Sequence, residues 1–238
     1  MKIAIHQPHY LPWLGYFGKW AAADRFIFLD SVQYEKNGWQ NRNRIKAGGG
    51  PQWLTVPVHA RLGTPINDVT VDTAQPWRAR HLRAVELAYA QAPHFARYQG
   101  ALRAFYASEW HRLAPLAAAS GEWLARALGI GAPATLASEL ALPEAPTDTD
   151  PTGRLVAVCR AVGADTYLAG RDGARYMDLA RFQAAGIAVE AQHYEHPVYA
   201  QLHGEFVPSL SALDLLLMHG DEALSILCGG NAWSSLAP

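Results

Sequence analysis

The chain has 238 residues, half of them apolar and only 17% charged, a balance that excludes a disordered segment and allows a real core to form without a partner. Twenty basic against twenty-one acidic residues leave a net charge of -1. No broad positive field is therefore available to collect nucleic acid or anionic lipid, and any anion site must be local. Cys159 and Cys228 sit in apolar runs with neither a metal-ligand spacing nor a secreted-disulfide framework, which predicts a reducing, cytoplasmic setting.

Lys2 to His6 reads as a short buried strand that ends in polar residues. Only three apolar residues separate Lys2 from His6, and nothing approaches the roughly 18 apolar residues that span a bilayer, so neither a signal peptide nor membrane insertion is expected. Trp13 to Ala23 predicts a helix and Arg25 to Leu29 a second strand, together the length of a βαβ unit whose two strands run parallel. Seven of the eighteen Trp and Tyr residues fall in the first 53 positions, which directs attention to this end of the chain.

Asn41 to Lys46, the Gly48-Gly49-Gly50 turn and Gln52 to Val58 predict a hairpin. Strand alternation sends Asn41, Asn43 and Ile45 to one face and Arg42, Arg44 and Lys46 to the other. From Trp77 to Leu128 the pattern is helical, with Pro93 and Pro115 read as breaks and Gly129 as an end. Residues 132–151 read as a surface connection. Asp150-Pro151 then starts a capped helix, and a strand at 165–169, a helix at 174–185 and a strand at 187–193 restore the β-α-β rhythm. The tail is helical at 209–217 and 222–228. The expected fold is one α/β domain over residues 1–238: an open, mostly parallel, Rossmann-like sheet with a β-hairpin insertion and a helical layer or cap at about 77–128.

His6 and Gln7 fall where a parallel strand turns into a helix, the edge at which open α/β sheets bind ligands. His6 is a candidate general base there, or else a simple strand cap. Asp30 ends the neighbouring strand and either orients the His6 ring or caps a turn with Ser31; Gln33 follows a short turn later. The arm Trp39-Gln40-Asn41-Arg42-Asn43-Arg44 is either a binding surface or a solvated edge strand. His193, His196 and His203 invite a metal reading but lack a partner at helix spacing to complete a shell, so no metal is expected and His196 to Tyr199 is placed on the sheet edge beside His6. Gly170-Arg171-Asp172-Gly173 is a weak anion-loop signal. With no G-x-S-x-G elbow and no exposed electropositive cysteine, a covalent nucleophile is not expected.

Several segments carry a family resemblance: His6-Gln7-Pro8-His9-Tyr10-Leu11-Pro12-Trp13-Leu14-Gly15-Tyr16-Phe17, Asp30-Ser31-Val32-Gln33, Gln40 to Lys46, Trp53 to Val58, Ala92-Pro93-His94-Phe95, Tyr167 to Gly170, His196-Pro197-Val198-Tyr199 and Leu213 to Leu216. On these the chain resembles the WbqC-like protein family of bacteria over most of its length. One loop departs from the family pattern, reading Ala169-Gly170-Arg171-Asp172-Gly173 where the family tends to read Ser-Gly-Pro-Ala-Gly.

The resemblance implies a role in surface-polysaccharide or other natural-product biosynthesis. The expected reaction is amide formation, moving an acyl or aminoacyl group from a thioester donor (acyl or peptidyl carrier protein, or coenzyme A) to an amine such as an amino sugar. His6 and Asp30 are the expected catalytic pair. Asn41, Arg42 or backbone amides would hold the oxyanion, and Gln7, Tyr10, Trp13, Tyr16, Gln33, Trp39, Asn43, His196 and Tyr199 would bind substrate. Two alternatives stand beside it. One is ATP-dependent carboxylate activation, suggested by a faint likeness to pantothenate-synthetase-type enzymes whose H-x-G-H signature is absent here. The other is a non-catalytic protein that binds a sugar or an acyl carrier.

Overall fold

β1 (Lys2–His6) places Ile3, Ala4 and Ile5 out of contact with solvent, because a central parallel strand is covered on both faces and tolerates only apolar side chains there. In the computed structural model, residues 1–142, 150–170, 173 and 177–237 are described. After β1 the chain forms α1 (Leu14–Ala21) and returns as β2 (Arg25–Phe28), parallel to β1 in the register Ile3↔Arg25 to His6↔Phe28. The βαβ expectation holds.

The hairpin follows as β3 (Arg42–Ala47) and β4 (Gly50–Thr55), succeeded by a small antiparallel pair, β5 (Val58–His59) and β6 (Thr70–Val71). The helical layer consists of α2 (Trp77–Tyr89), α3 (Phe95–Ala107) and α4 (Leu113–Leu128). Pro93 does separate two helices. Pro115 does not: it lies in the first turn of α4, where the N–H it lacks has no intrahelical partner in any case. Gly129 closes α4 at φ +85°, a conformation that costs glycine little.

The stretch expected to be only a surface connection contributes β7 (Ala134–Leu136), an edge strand parallel to β2. A three-residue strand carries too little periodicity to be read from sequence. Then come α5 (Pro151–Ala161), whose Asp150 cap accepts the Gly153 N–H at 2.9 Å, β8 (Thr166–Ala169), α6 (Leu179–Ala184) and β9 (Ala188–Tyr194). The tail forms α7 (Ala212–His219), α8 (Ala223–Gly229) and β10 (Asn231–Leu236), which pairs antiparallel with β9 and was not foreseen. Arg171, Asp172 and the start of the helix expected at 174 lie outside the described residues.

The six-stranded sheet runs β10-β9-β8-β1-β2-β7, mostly parallel with β10 as the antiparallel edge. Alternation divides its side chains cleanly. Ala4, Phe26, Phe28 and Leu168 face one core with α1, α4, α7 and α8, while Ile3, Ile5, Ile27, Tyr167 and Val189 face the other beneath α5 and α6. The fold is α/β. From β1 the chain winds one way through β2 and β7, then crosses back to β8 and β9 on the other side. The carboxyl ends of β1 and β8 thus form the switch point at which such sheets open a crevice.

Candidate functional site

A cleft of about 510 Å³ opens at that switch point. His6 and Gln7 enter it from the end of β1, and Trp13, Gly15, Tyr16 and Lys19 from α1 and its approach. Gly170 comes from the end of β8, and Gln192 and Tyr194 from β9. No carboxylate lines it among the described residues; its ionisable cations-to-be are His6 and Lys19.

The turn from β1 to α1 is stiff. Leu11 sits at φ +45°, an unusual backbone for a buried leucine. Ser120 of α4 accepts its N–H at 2.9 Å, and Asn43 of β3 donates to its carbonyl at 2.7 Å. Two separate elements therefore hold the turn open. Gly15 makes room for the Trp13 ring at the first turn of α1, since a Cβ there would fall 2.3 Å from it. Gln192 donates to the Gly15 carbonyl and Asn231 to that of Gly18, fastening α1 against β9 and β10.

His6 Nδ1 lies 3.2 Å from the Gln7 carbonyl oxygen, which also accepts the Tyr16 hydroxyl at 3.2 Å. A carbonyl only accepts, so Nδ1 is assigned the hydrogen and Nε2 is left with its lone pair and no protein partner among the described residues. The His6 ring packs edge-on against His9 at 4.7 Å and against Tyr16 at 4.6 Å. Burial above all, then the nearby Lys19, hold His6 well below the ordinary histidine range and push His9 down to about 3. Both rings are neutral at pH 7.

Lys19 is the residue that sequence reading missed. It is 2% exposed, donates to the Ile5 carbonyl at 2.9 Å, and burial pushes its amine down to about 7. A signal was present: Lys19 follows Gly15 and Tyr16 at helical spacing, on the stripe of α1 that must face the sheet. A lysine on a buried stripe is unusual in a helix whose other residues are apolar or glycine. His9 was read only as part of a motif, and its packing on His6 becomes visible once the turn is folded.

The remaining expected residues divide. His6, Gln7, Trp13 and Tyr16 share the cleft. His196 reaches its wall by stacking on Trp13 with ring centroids 6.5 Å apart, and Tyr199 stacks behind His196 at 6.3 Å. Asp30 does not orient His6. Both its oxygens accept from Ser138, at 2.9 Å from the backbone N–H and 2.6 Å from the hydroxyl, so it fastens the turn after β7 to the end of β2. The expected turn with Ser31 is replaced by this longer-range contact.

Tyr10 is fully buried, bonded to His81 at 3.0 Å and Tyr106 at 2.7 Å beneath the helical layer. Asn41 and Asn43 are buried pegs of the hairpin, Asn41 donating to the Val56 carbonyl at 2.8 Å. They cannot also hold an oxyanion in the cleft. Gln33 is exposed away from it, bridging to Pro65. Arg42 and Trp39 do not line the cleft; the hairpin arm that carries them reaches it through Gln40, whose amide donates to the Gln7 side chain at 2.7 Å. A Cβ on Gly38 would fall 2.4 Å from Gln40 Oε1, so this glycine makes room for the link.

His193, His196 and His203 do not converge: their ring nitrogens go to Ser234, to the Ser209 N–H and the Pro197 carbonyl, and to the Ala88 carbonyl. Among the described residues no group of three or more His, Cys, Asp or Glu side chains is placed to hold a metal ion. No helix of the described residues is long and apolar enough to cross a membrane.

Comparison with known proteins bears on this geometry. The model of the WbqC-like protein family matches residues 7–226. The chain belongs to that family. It is also 36% identical over 226 residues to "Uncharacterized protein Rv1507c" of Mycobacterium tuberculosis, covering 93% of this chain and 95% of that one. No solved structure matches. The WbqC-like span takes in Gln7, Trp13, Tyr16 and Lys19 with β8 and β9, while β1 and its last residue, His6, precede its start.

Proposed function

We propose that this WbqC-like protein forms an amide by transferring an acyl or aminoacyl group from a thioester donor, borne by a carrier protein or coenzyme A, to an amine such as an amino sugar. The observation that carries the reading is His6: a neutral imidazole whose Nδ1 is committed to the Gln7 carbonyl, leaving Nε2 as an acceptor in the switch-point cleft. The amine nitrogen attacks the thioester carbonyl and a C–N bond forms. His6 Nε2 takes the amine proton, the C–S bond breaks, and the thiolate leaves with that proton.

Lys19 supplies what Asp30, Asn41 and Arg42 do not. Its amine, near half-protonated at neutral pH, lines the cleft and opposes the charge that develops on the carbonyl oxygen. An anion arriving in a site where no described residue contributes a carboxylate draws a proton onto Lys19, so the positive charge is strongest when the reaction needs it. Neither cysteine lines the cleft, and burial pushes Cys159 up to about 12, in keeping with direct aminolysis that uses no protein nucleophile.

The test is amide formation followed by mass spectrometry, with acyl- and aminoacyl-thioesters offered alongside amino sugars. His6→Ala is expected to lower turnover about 10²- to 10⁴-fold, the usual worth of a positioned base. Unchanged turnover in that variant overturns the assignment. Amide formation that requires ATP and a free carboxylate moves the protein to the carboxylate-activating class instead.

A further inference from the structure

The outward face of the hairpin carries a feature that the proposed chemistry does not use. Trp39 and Trp53 are 40% and 44% exposed, and their rings pack together with centroids 5.5 Å apart and planes inclined by 34°. Two guanidinium groups share the Trp53 ring, Arg42 at 4.4 Å and Arg44 at 5.6 Å from its centre. Register explains the cluster: Arg44 pairs with Trp53 across the strands, and Arg42 lies two residues along the same face.

Neither arginine meets a carboxylate among the described residues, whereas Arg97, Arg103, Arg112 and Arg181 each do. Arg42 spends its terminal nitrogens on the side chain and carbonyl of Asn37, which is neutral. Arg44 donates from one terminal nitrogen to the Ser209 carbonyl at 3.4 Å, and the other has no partner among the described residues. The shelf thus joins exposed aromatic faces to two uncompensated positive charges.

Two hydrogen-bonded routes tie this shelf to the cleft. Trp39 neighbours Gln40, which holds Gln7, and the Trp39 carbonyl accepts the Tyr10 N–H at 3.3 Å. On the other side Arg44 holds Ser209, whose N–H donates to His196, and His196 stacks on the Trp13 wall. The shelf does not line the cleft but is bonded to its walls through these intermediate side chains.

Aromatic faces beside paired guanidiniums are the chemistry that holds a nucleobase with its phosphates. We infer that the Trp39–Trp53–Arg42–Arg44 shelf binds the adenosine diphosphate handle of a coenzyme A thioester, the acyl-bearing arm passing over the rim to His6. This rests on the amide-transfer reading and narrows its donor to the coenzyme rather than a carrier protein. The arm is needed because the charges stand outside the cleft; a nucleotide-linked sugar, with its sugar directly on the diphosphate, would hold the reacting group at the rim.

Tryptophan fluorescence and calorimetry with ADP and coenzyme A test the shelf on the full chain. ADP is expected to quench fluorescence, coenzyme A to bind at least tenfold more tightly than ADP, and Trp53→Leu and Arg42→Gln to weaken both at least tenfold. Circular dichroism establishes that each variant is folded, and Trp39→Leu gives a second reading at a residue that bonds nothing through its side chain. His6→Ala should bind ADP as the wild type does. The inference is overturned if UDP binds more tightly than ADP and coenzyme A, if pyrophosphate alone matches ADP, or if the shelf variants keep wild-type affinity. Turnover from a carrier-borne thioester without affinity for coenzyme A would overturn the shelf and leave amide transfer standing; ADP binding that depends on the shelf without any amide product would do the reverse.

Discussion

The buried ionisable groups around Asp214 and those around Lys19 differ in kind. Asp214 of α7 is fully buried, and the Tyr89 hydroxyl donates to it at 2.8 Å while accepting the Lys46 N–H at 3.0 Å. Lys46 in turn holds the Gly204 carbonyl at 3.1 Å. Burial raises the Asp214 carboxyl above its ordinary range, with Tyr89 and Lys46 opposing that rise. This is an internal lock between α7, α2 and the hairpin. Around Lys19 the groups are two imidazoles and an amine with no acid beside them among the described residues, opening onto a cleft. A buried acid bonded to side chains of other elements reads as structural, whereas buried bases that bond only backbone carbonyls at an open switch point are the pattern of a functional site.

The comparison breaks most visibly if Lys19 proves structural. Lys19→Met should lower amide formation about 10²- to 10³-fold and leave the thermal midpoint unchanged or higher, because it removes a desolvated amine. A large fall in midpoint with turnover intact would place Lys19 with Asp214. Asp214→Ala should do the opposite, costing about 3 kcal/mol in urea unfolding by leaving the Tyr89 hydroxyl without its acceptor. Turnover per folded molecule should stay within about twofold of the wild type.

A pH series sharpens the same contrast. The Lys19 amine is depressed from 10.5 to about 7 in the fold, so between those values the unfolded chain holds a proton that the native state does not. Stability from this group therefore rises with pH above about 7, with a limiting slope of about 1.4 kcal/mol per pH unit. The wild-type stability measured against Lys19→Met should climb between pH 7.5 and 9.5; a flat difference would mean that the amine keeps its ordinary basicity. His9, depressed to about 3, acts in a lower window: the stability it contributes is complete above about 6.5 and is lost as pH falls toward 3. Smallest of all, Gly15→Ala should cost about 1 kcal/mol by forcing the Trp13 ring aside, with a shift in tryptophan emission that Gly131→Ala, where nothing lies near, does not produce.

Much of the fold was legible because periodicity and punctuation are local. The opening βαβ unit, the hairpin with its glycine turn and the Asp150-Pro151 helix start all emerged near their read positions. β7 and β10 did not, since short edge strands borrow their order from neighbours. Strand-end position was enough to place His6 and Gln7 in the cleft. It misled on Asp30, Asn41 and Tyr10, because a polar residue near the site in sequence can spend its hydrogen bonds on a distant partner such as Ser138, Val56 or Tyr106.

The sequence by itself determined the α/β class, the WbqC-like motifs and the strand end at which the cleft opens. Those follow from side-chain period, from backbone preferences at Gly and Pro, and from the polar residues that end β1. Only the tertiary structure decided which polar groups are satisfied internally. Desolvation and hydrogen-bond pairing depend on contacts between residues far apart in the chain, and they alone separate Lys19 and His6, which bond only backbone carbonyls at an open crevice, from Asp30 and Asp214, which accept from side chains of distant elements.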